Sequence, residues 1–98
     1  MWLLKSKKEI SRELAGRCRD LRLEQNLSQK ELADRAGIAL QTYRRFEQEG
    51  QISLERFVGV VQSLNRIPEL EGLLRSAPIE DLDQIEKPKP ARKRSRAR

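Results

Sequence analysis

The sequence predicts an all-α protein built from five short helices. Three observations carry that expectation. Apolar residues recur at spacings of three and four along most of residues 10–75, helix-start and helix-stop residues flank each such run, and no stretch alternates apolar and polar residues as a strand does. The chain has 98 residues, enough for one small domain and its tails. Such a domain buries only about 60% of the surface its unfolded chain exposes, so its stability is modest and a dimer partner would add to it.

The elements follow in order. Ser6-x-x-Glu9 forms a capping box, in which hydroxyl and carboxylate take up free amide hydrogens at a helix start. A first helix then runs to about Gln25, with Ile10, Leu14, Cys18 and Leu21 as its apolar stripe, and Asn26 is a left-handed stop. Ser28-x-x-Glu31 is a second capping box, opening a helix from Gln29 to Ala36 with Leu32, Ala33 and Ala36 inward. Gly37 closes it at a position that needs positive φ. A third helix is expected from Leu40 to Glu49, ended by Gly50. Ala39, Tyr43 and Phe46 cluster on one side of it, and Gln41, Arg44, Arg45 and Gln48 take the opposite arc. Ser53 caps a fourth helix from Leu54 to Leu64, with Ile52 and Phe57 as a hydrophobic staple and Leu54, Phe57, Val58, Val61 and Leu64 as its core stripe. Pro68 opens a fifth helix ending near Arg75, with Leu70, Leu73 and Leu74 apolar.

Charge divides the chain further. Lys and Arg number 21 against 15 Asp and Glu, but seven of the basic residues lie in 87–98, which holds no acid. Residues 76–86 carry Glu80, Asp81, Asp83 and Glu86 and no base. The expected organisation is an apolar N-terminal arm at 1–5, a folded domain at 6–75, an acidic linker at 76–86 and a basic disordered tail at 87–98. In the arm, Trp2, Leu3 and Leu4 are dense enough to pack on the domain or across a dimer. In the linker, Ile79, Leu82 and Ile85 leave open a short partner-docking helix beside the plainer reading of an acidic spacer. The tail residues Lys87, Lys89, Arg92, Lys93, Arg94, Arg96 and Arg98 suit an auxiliary DNA contact, with solubility or docking on an acidic partner or RNA as alternatives.

Composition removes several function classes. There is no His and one Cys, so zinc fingers, His-based triads, Cys–His dyads and internal disulfides are out. No phosphate-cradling Gly-rich loop or metal-ligand spacing occurs, and the carboxylates do not pair into an acid/base site. The expectation is a protein without catalytic residues, cofactor, metal or small-molecule substrate. No apolar run nears the roughly 20 residues of a membrane span, and the apolar patch of MWLLKSKK is too short for a signal peptide. A cytoplasmic location follows as an expectation. Cys18, on the stripe of the first helix, reads as a small core hydrophobe.

The functional pattern is the pair of short helices 29–36 and 40–49 joined by a tight Gly turn, which matches a helix-turn-helix in length and turn chemistry. A major groove about 12 Å wide admits one helix, and the second of the pair would present its polar face there. Gln reads adenine and Arg reads guanine through paired hydrogen bonds, which makes Gln41, Arg44 and Arg45 the candidates for reading bases.

The stretch LSQKELADRAGIALQTYRRFEQEGQISLERFVGVVQSLN resembles the Cro/phage-repressor (XRE) helix-turn-helix family. The matching residues are Leu27, Ser28, Gln29, Glu31, Leu32, Ala33, Gly37, Ile38, Thr42, Glu47, Gly50, Ser53 and Leu54. The resemblance implies a compact five-helix Cro/repressor-like domain that binds two-fold operators on double-stranded DNA as a homodimer and regulates transcription, in the commonest case as a repressor of its own gene. By the same resemblance, Leu40, Gln41 and Arg45 face base edges, Gln29 meets the DNA backbone, and Arg22 and Glu47 form an ion pair tying the first helix to the third. The polar face adds Arg44 to the expected base contacts, Lys30 and Gln48 join the expected backbone contacts, and the DNA-bound protein would sit on the nucleoid. Ala39 departs from the capping Ser or Thr of the family, which implies a frayed helix start. Leu40 replaces a polar residue, so it would touch a thymine methyl rather than donate a hydrogen bond. The run TYRRFEQEGQISLERFV more narrowly resembles regulators encoded beside HipA-type kinase toxins, which would make the chain an antitoxin that also binds a HipA-like kinase.

Overall fold

The computed structural model describes residues 2–76. The hydrophobic positions expected at Ile79, Leu82 and Ile85 and the basic residues from Lys87 to Arg98 lie outside the described residues. Five helices follow one another: α1 (Lys7–Glu24), α2 (Gln29–Ala36), α3 (Leu40–Glu49), α4 (Leu54–Ser63) and α5 (Ile67–Glu71). No strand forms among the described residues.

Local chemistry sets most boundaries. At the start of α1, the Glu9 amide donates to Ser6 Oγ at 3.0 Å while the Ser6 amide donates to Glu9 Oε1 at 2.8 Å. The box is repeated at α2, with Ser28 and Glu31 at the same two distances. In each box the donated amide hydrogen holds the glutamate carboxyl below its ordinary pKa. Asn26 takes the left-handed conformation (φ 57°) after α1, and Gly37 (φ 72°) and Gly50 (φ 75°) do so after α2 and α3. Ala39 stands in capping backbone geometry before α3 but has no side-chain oxygen to offer. Its carbonyl accepts the first helical hydrogen bond, from the Tyr43 amide at 3.1 Å, and the helix forms from Leu40 onward. Ser53 Oγ accepts from the Arg56 amide at 3.2 Å to open α4.

The core gathers Ala15 and Cys18 from α1, Leu27 before α2, Leu32 and Ala33 from α2, Tyr43 and Phe46 from α3, and Val60 and Leu64 at α4. α1 packs on α3, while α2 packs on both α3 and α4. Edge-to-face contacts run from Tyr43 to Phe46 (6.0 Å between ring centres) and on to Phe57 (5.8 Å). Gly50 sits so close to α1 that an added Cβ would stand 2.8 Å from the Ser11 carbonyl carbon. Gly59 brings α4 onto the end of α2, where a Cβ would meet the Ala36 carbonyl oxygen at 3.2 Å.

Several faces differ from the sequence expectation. On α1 the fully buried line is Ala15, Cys18 and Arg22, and Ile10, Leu14 and Leu21 flank it half-buried. Ala39 is exposed, because the chain turns before it joins the packed side of α3. The buried face of α4 is Val60 and Val61 with Leu64 beyond, while Leu54 is 77% exposed and Val58 is exposed too. The close approach at Gly59 turns α4 so that Leu54 and Val58 face out. α5 is shorter than expected, with Pro68 in its first turn, and Leu74 in the left-handed region (φ 57°) follows it. Leu70 is half-buried, but Leu73 and Leu74 are exposed. In the arm, Trp2 is half-buried under the Arg17 guanidinium, 4.5 Å from its ring centre, but Leu3 and Leu4 do not pack on the domain.

Candidate nucleic-acid interface

α2 and α3 are joined by two residues, Ile38 and Ala39, after the left-handed Gly37. The Ile38 amide donates back to the Ala33 carbonyl at 3.0 Å, and the Ile38 side chain packs on the core. The turn is thereby fixed, and with it the angle at which α3 leaves α2. One side of α3 holds Tyr43 and Phe46, at 0% and 2% exposure, and the other presents Gln41, Arg44, Arg45 and Gln48 to solvent. Leu40 lies between these sides: it packs against the core and is half-buried.

The position of α3 is set by a polar cluster at its packed edge. Arg22 of α1 donates from Nε and Nη2 to the two carboxylate oxygens of Glu47, at 2.7 and 3.2 Å, and from Nη1 to the Leu27 carbonyl at 2.9 Å. Gln29 Nε2 donates to Glu47 Oε1 at 2.9 Å, and the Tyr43 hydroxyl donates to Glu47 Oε2. One carboxylate therefore accepts from three elements of the fold. Burial works to raise the Glu47 pKa, but the hydrogen bonds from Arg22, Tyr43 and Gln29 outweigh it and hold the carboxyl below its ordinary value. The same hydrogen bond to Glu47 raises the Arg22 pKa, against its own burial. The Tyr43 hydroxyl is pushed well up, by burial first and then by its hydrogen bond to the Glu47 carboxylate, so it stays protonated and keeps donating.

The cluster extends to the surface. Arg44 Nε donates to Gln29 Oε1 at 3.4 Å, so the Gln29 amide has one end on the buried carboxylate and the other on an exposed guanidinium. Gln29 is half-buried at the first position of α2. Lys30 is paired with Asp34 at 3.1 Å. Arg45 leans along its own helix, with Nε 3.2 Å from Glu49 Oε1 and Nη2 on Gln51 Oε1. Exposed pairs of this kind are worth about 0.2–1 kcal/mol, little enough that Lys30 and Arg45 can exchange them for a phosphate or a base edge.

The structure thus brings Arg22, Glu47, Gln29 and Arg44 into one hydrogen-bonded chain and leaves Gln41, Arg45 and Gln48 on the open side of α3. Sequence reasoning places Tyr43 only in the core and misses its polar role, though its spacing of four from Glu47 on one helix is a usable signal. It also misses Gln51, which lies past the end of α3, and the Leu27 carbonyl, which no side-chain pattern reveals. Among the described residues no cluster of His, Cys, Asp and Glu could hold a metal ion, and no helix is long and apolar enough to cross a membrane.

Comparison with known proteins adds one positive finding. A family model described as helix-turn-helix matches residues 19–71, more than half of the chain, from the last six residues of α1 through α2, α3, α4 and α5. No curated protein matches the chain.

Proposed function

The chain belongs to the helix-turn-helix family of Cro/repressor type and is a DNA-binding regulator, and from that premise we propose that it reads a two-fold operator as a homodimer and represses transcription. The observation that carries this reading is the split character of α3, with four long polar side chains outward and its other edge held by a buried carboxylate. In the mechanism, Gln41, Arg44 and Arg45 discriminate base pairs in the major groove. Leu40 contributes what its half-buried side chain leaves open, as an apolar contact to a thymine methyl. Gln29, Lys30 and Gln48 take backbone phosphates and set the register, and the tail from Lys87 to Arg98 adds sequence-independent affinity. Each good paired contact to a base contributes about 1–3 kcal/mol of discrimination. Two protomers place their α3 helices about 34 Å apart, one turn of duplex, so half-site centres fall about 10 bp apart or at a multiple.

The experiment is a selection from random duplex DNA at about 150 mM salt, run with the full chain and with the Gln41→Ala, Arg45→Ala double variant. Enrichment of a two-fold site by the full chain alone supports the base-reading dimer and supplies its operator. Enrichment of the same site by both proteins removes Gln41 and Arg45 from the role of readers, and enrichment of a single half-site removes the dimer.

A further inference from the structure

Seven of the ten charged residues of α1 sort into two faces, with Lys7, Arg17 and the buried Arg22 outside them. At about 100° per residue, Lys8, Arg12 and Arg19 fall within an arc of about 40°, while Glu9, Glu13, Asp20 and Glu24 share a separate arc of about 60°. All seven are exposed. Glu9 is engaged in the cap with Ser6, and Glu13 is 3.8 Å from Lys5. Among the described residues, Lys8, Arg12 and Arg19 have no ion-pair partner, a condition they share with Lys7, Arg17, Arg35, Arg44, Arg56 and Arg75, so it is their alignment on one face that sets them apart. Helix stability does not call for this arrangement. An isolated helix gains from opposite charges at i and i+4 and loses from like ones, and Lys8 and Arg12 are a like pair at that spacing.

The position of this stripe gives it a use. Its middle lies at the end of α3, because the Gly50 backbone is pressed against Ser11 and Arg12 of α1. Its far end lies beside α3 too, since Arg22, one turn after Arg19, carries its guanidinium to Glu47. From Lys8 to Arg19 the helix rises about 16 Å, long enough to follow several phosphates of one strand at about 3.4 Å of axial rise each.

We propose that Lys8, Arg12 and Arg19 form a phosphate-binding shoulder on α1 that holds the DNA backbone flanking the half-site read by α3. The inference rests on the DNA-binding reading and adds a second surface to it. The shoulder carries no sequence information. It raises affinity for every duplex alike and fixes the angle at which α3 enters the groove.

The test uses the full chain and a random-sequence duplex of about 30 bp, with log K followed against log salt from about 50 to 200 mM. Two variants are compared with wild type, each losing three positive charges: K8Q/R12Q/R19Q on α1, and R56Q/R66Q/R75Q on the side of α4 and α5. Urea midpoints verify folding, and the single variant Arg12→Gln stands in for the triple if the triple is destabilised. The expected result is a slope flattened by about 0.9 for each phosphate no longer neutralised, so by about 2.7 per protomer for the α1 triple, with the control parallel to wild type. A wild-type slope in the α1 variant, or equal flattening in both triples, overturns the shoulder while the DNA-binding reading stands. No duplex binding by wild type overturns both.

Discussion

Glu47→Gln is the substitution that bears hardest on the reasoning about the buried cluster. It keeps the side chain's shape and replaces one acceptor oxygen with an NH2 group. In the structure four donor groups converge on the carboxylate: Arg22 Nε, Arg22 Nη2, Gln29 Nε2 and the Tyr43 hydroxyl. An amide offers one oxygen and turns its nitrogen toward donors, and it leaves the Arg22 charge without a counter-ion. The side chains of Arg22 and Glu47 are only 9% and 4% exposed, so water does little to compensate. Removing one partner of such a pair costs about 3–5 kcal/mol. A domain of about 75 residues has roughly 4–11 kcal/mol of total stability, so the loss is a large share of it. With an m-value of roughly 1–1.5 kcal/mol/M, the urea midpoint at pH 7 falls by about 2–5 M, or the variant is unfolded without urea. Acid supplies the second arm. The folded pKa of Glu47 is lowered, so its contribution is complete above the ordinary glutamate value of 4.5 and is lost as pH falls through the lower folded value. The gap between wild type and variant therefore narrows in acid, since a protonated Glu47 is as neutral as the amide that replaces it. The lowered carboxyls of Glu9 and Glu31 are common to both proteins. A midpoint within about 0.5 M of wild type at pH 7, or a gap unchanged down to acid unfolding, refutes the claim that the buried charge holds the cluster.

Other substitutions separate causes that look alike in the sequence. Gly50 and Gly37 both have positive φ, but a Cβ at Gly37 meets open space while one at Gly50 meets the α1 backbone. Gly37→Ala costs about 1–2 kcal/mol for the left-handed backbone alone, and Gly50→Ala adds about 1–3 kcal/mol of overpacking; thermal melts of the two variants should rank in that order. Ala39→Ser supplies the side-chain cap that α3 lacks and should raise stability by about 1 kcal/mol, read as a higher melting temperature. The Cys18 thiol is pushed up to about 11, by burial first and then by the nearby Glu47 charge. A thiol reagent at about pH 8 should modify it slowly in the native protein and fully in denaturant.

The parts of the fold that were legible in the sequence are those with a local cause. α2 and α3 have the bounds expected of them because Ser28 and Glu31 close a capping box within four residues, and Gly37 and Gly50 mark ends that few other residues tolerate. The polar side of α3 was legible for a similar reason: Tyr43 and Phe46 against Gln41, Arg44, Arg45 and Gln48 leave one orientation on a core. α4 is less decisive. At about 100° per residue, Leu54, Phe57, Val58, Val60, Val61 and Leu64 fill an arc of about 160°, from Val60 at one edge to Val58 at the other, and periodicity alone does not say which edge faces inward. The choice is made at Gly59, whose missing Cβ admits the end of α2, and that contact lies 23 residues away in sequence at Ala36. α5 stops short of the apolar pattern that Leu73 and Leu74 continue, since Gly72 caps it and Leu74 takes left-handed backbone.

The candidate site divides along the same line. Its open face is a property of one helix, and the types and spacing of the side chains there are enough to find it. Its buried side is a property of four segments. Polarity would place an arginine in the last turn of α1 at the surface, and only the family resemblance pairs Arg22 with Glu47, 25 residues away. The link from Glu47 through Gln29 to Arg44 has no signature within any one helix, since its members stand 18 and 15 residues apart. It nevertheless bears on what the open face can do. A guanidinium free to rotate loses side-chain entropy when it docks on a guanine, about 0.5–1.5 kcal/mol for an immobilised side chain of this length. In the base-reading role proposed for it, Arg44, already leaning on Gln29, would have lost part of that freedom before DNA arrives, whereas Gln41 has no side-chain partner among the described hydrogen bonds. The two positions should therefore respond differently to change in the cluster: loosening Glu47 releases Gln29 and weakens the contribution of Arg44, while that of Gln41 follows only the placement of α3 itself.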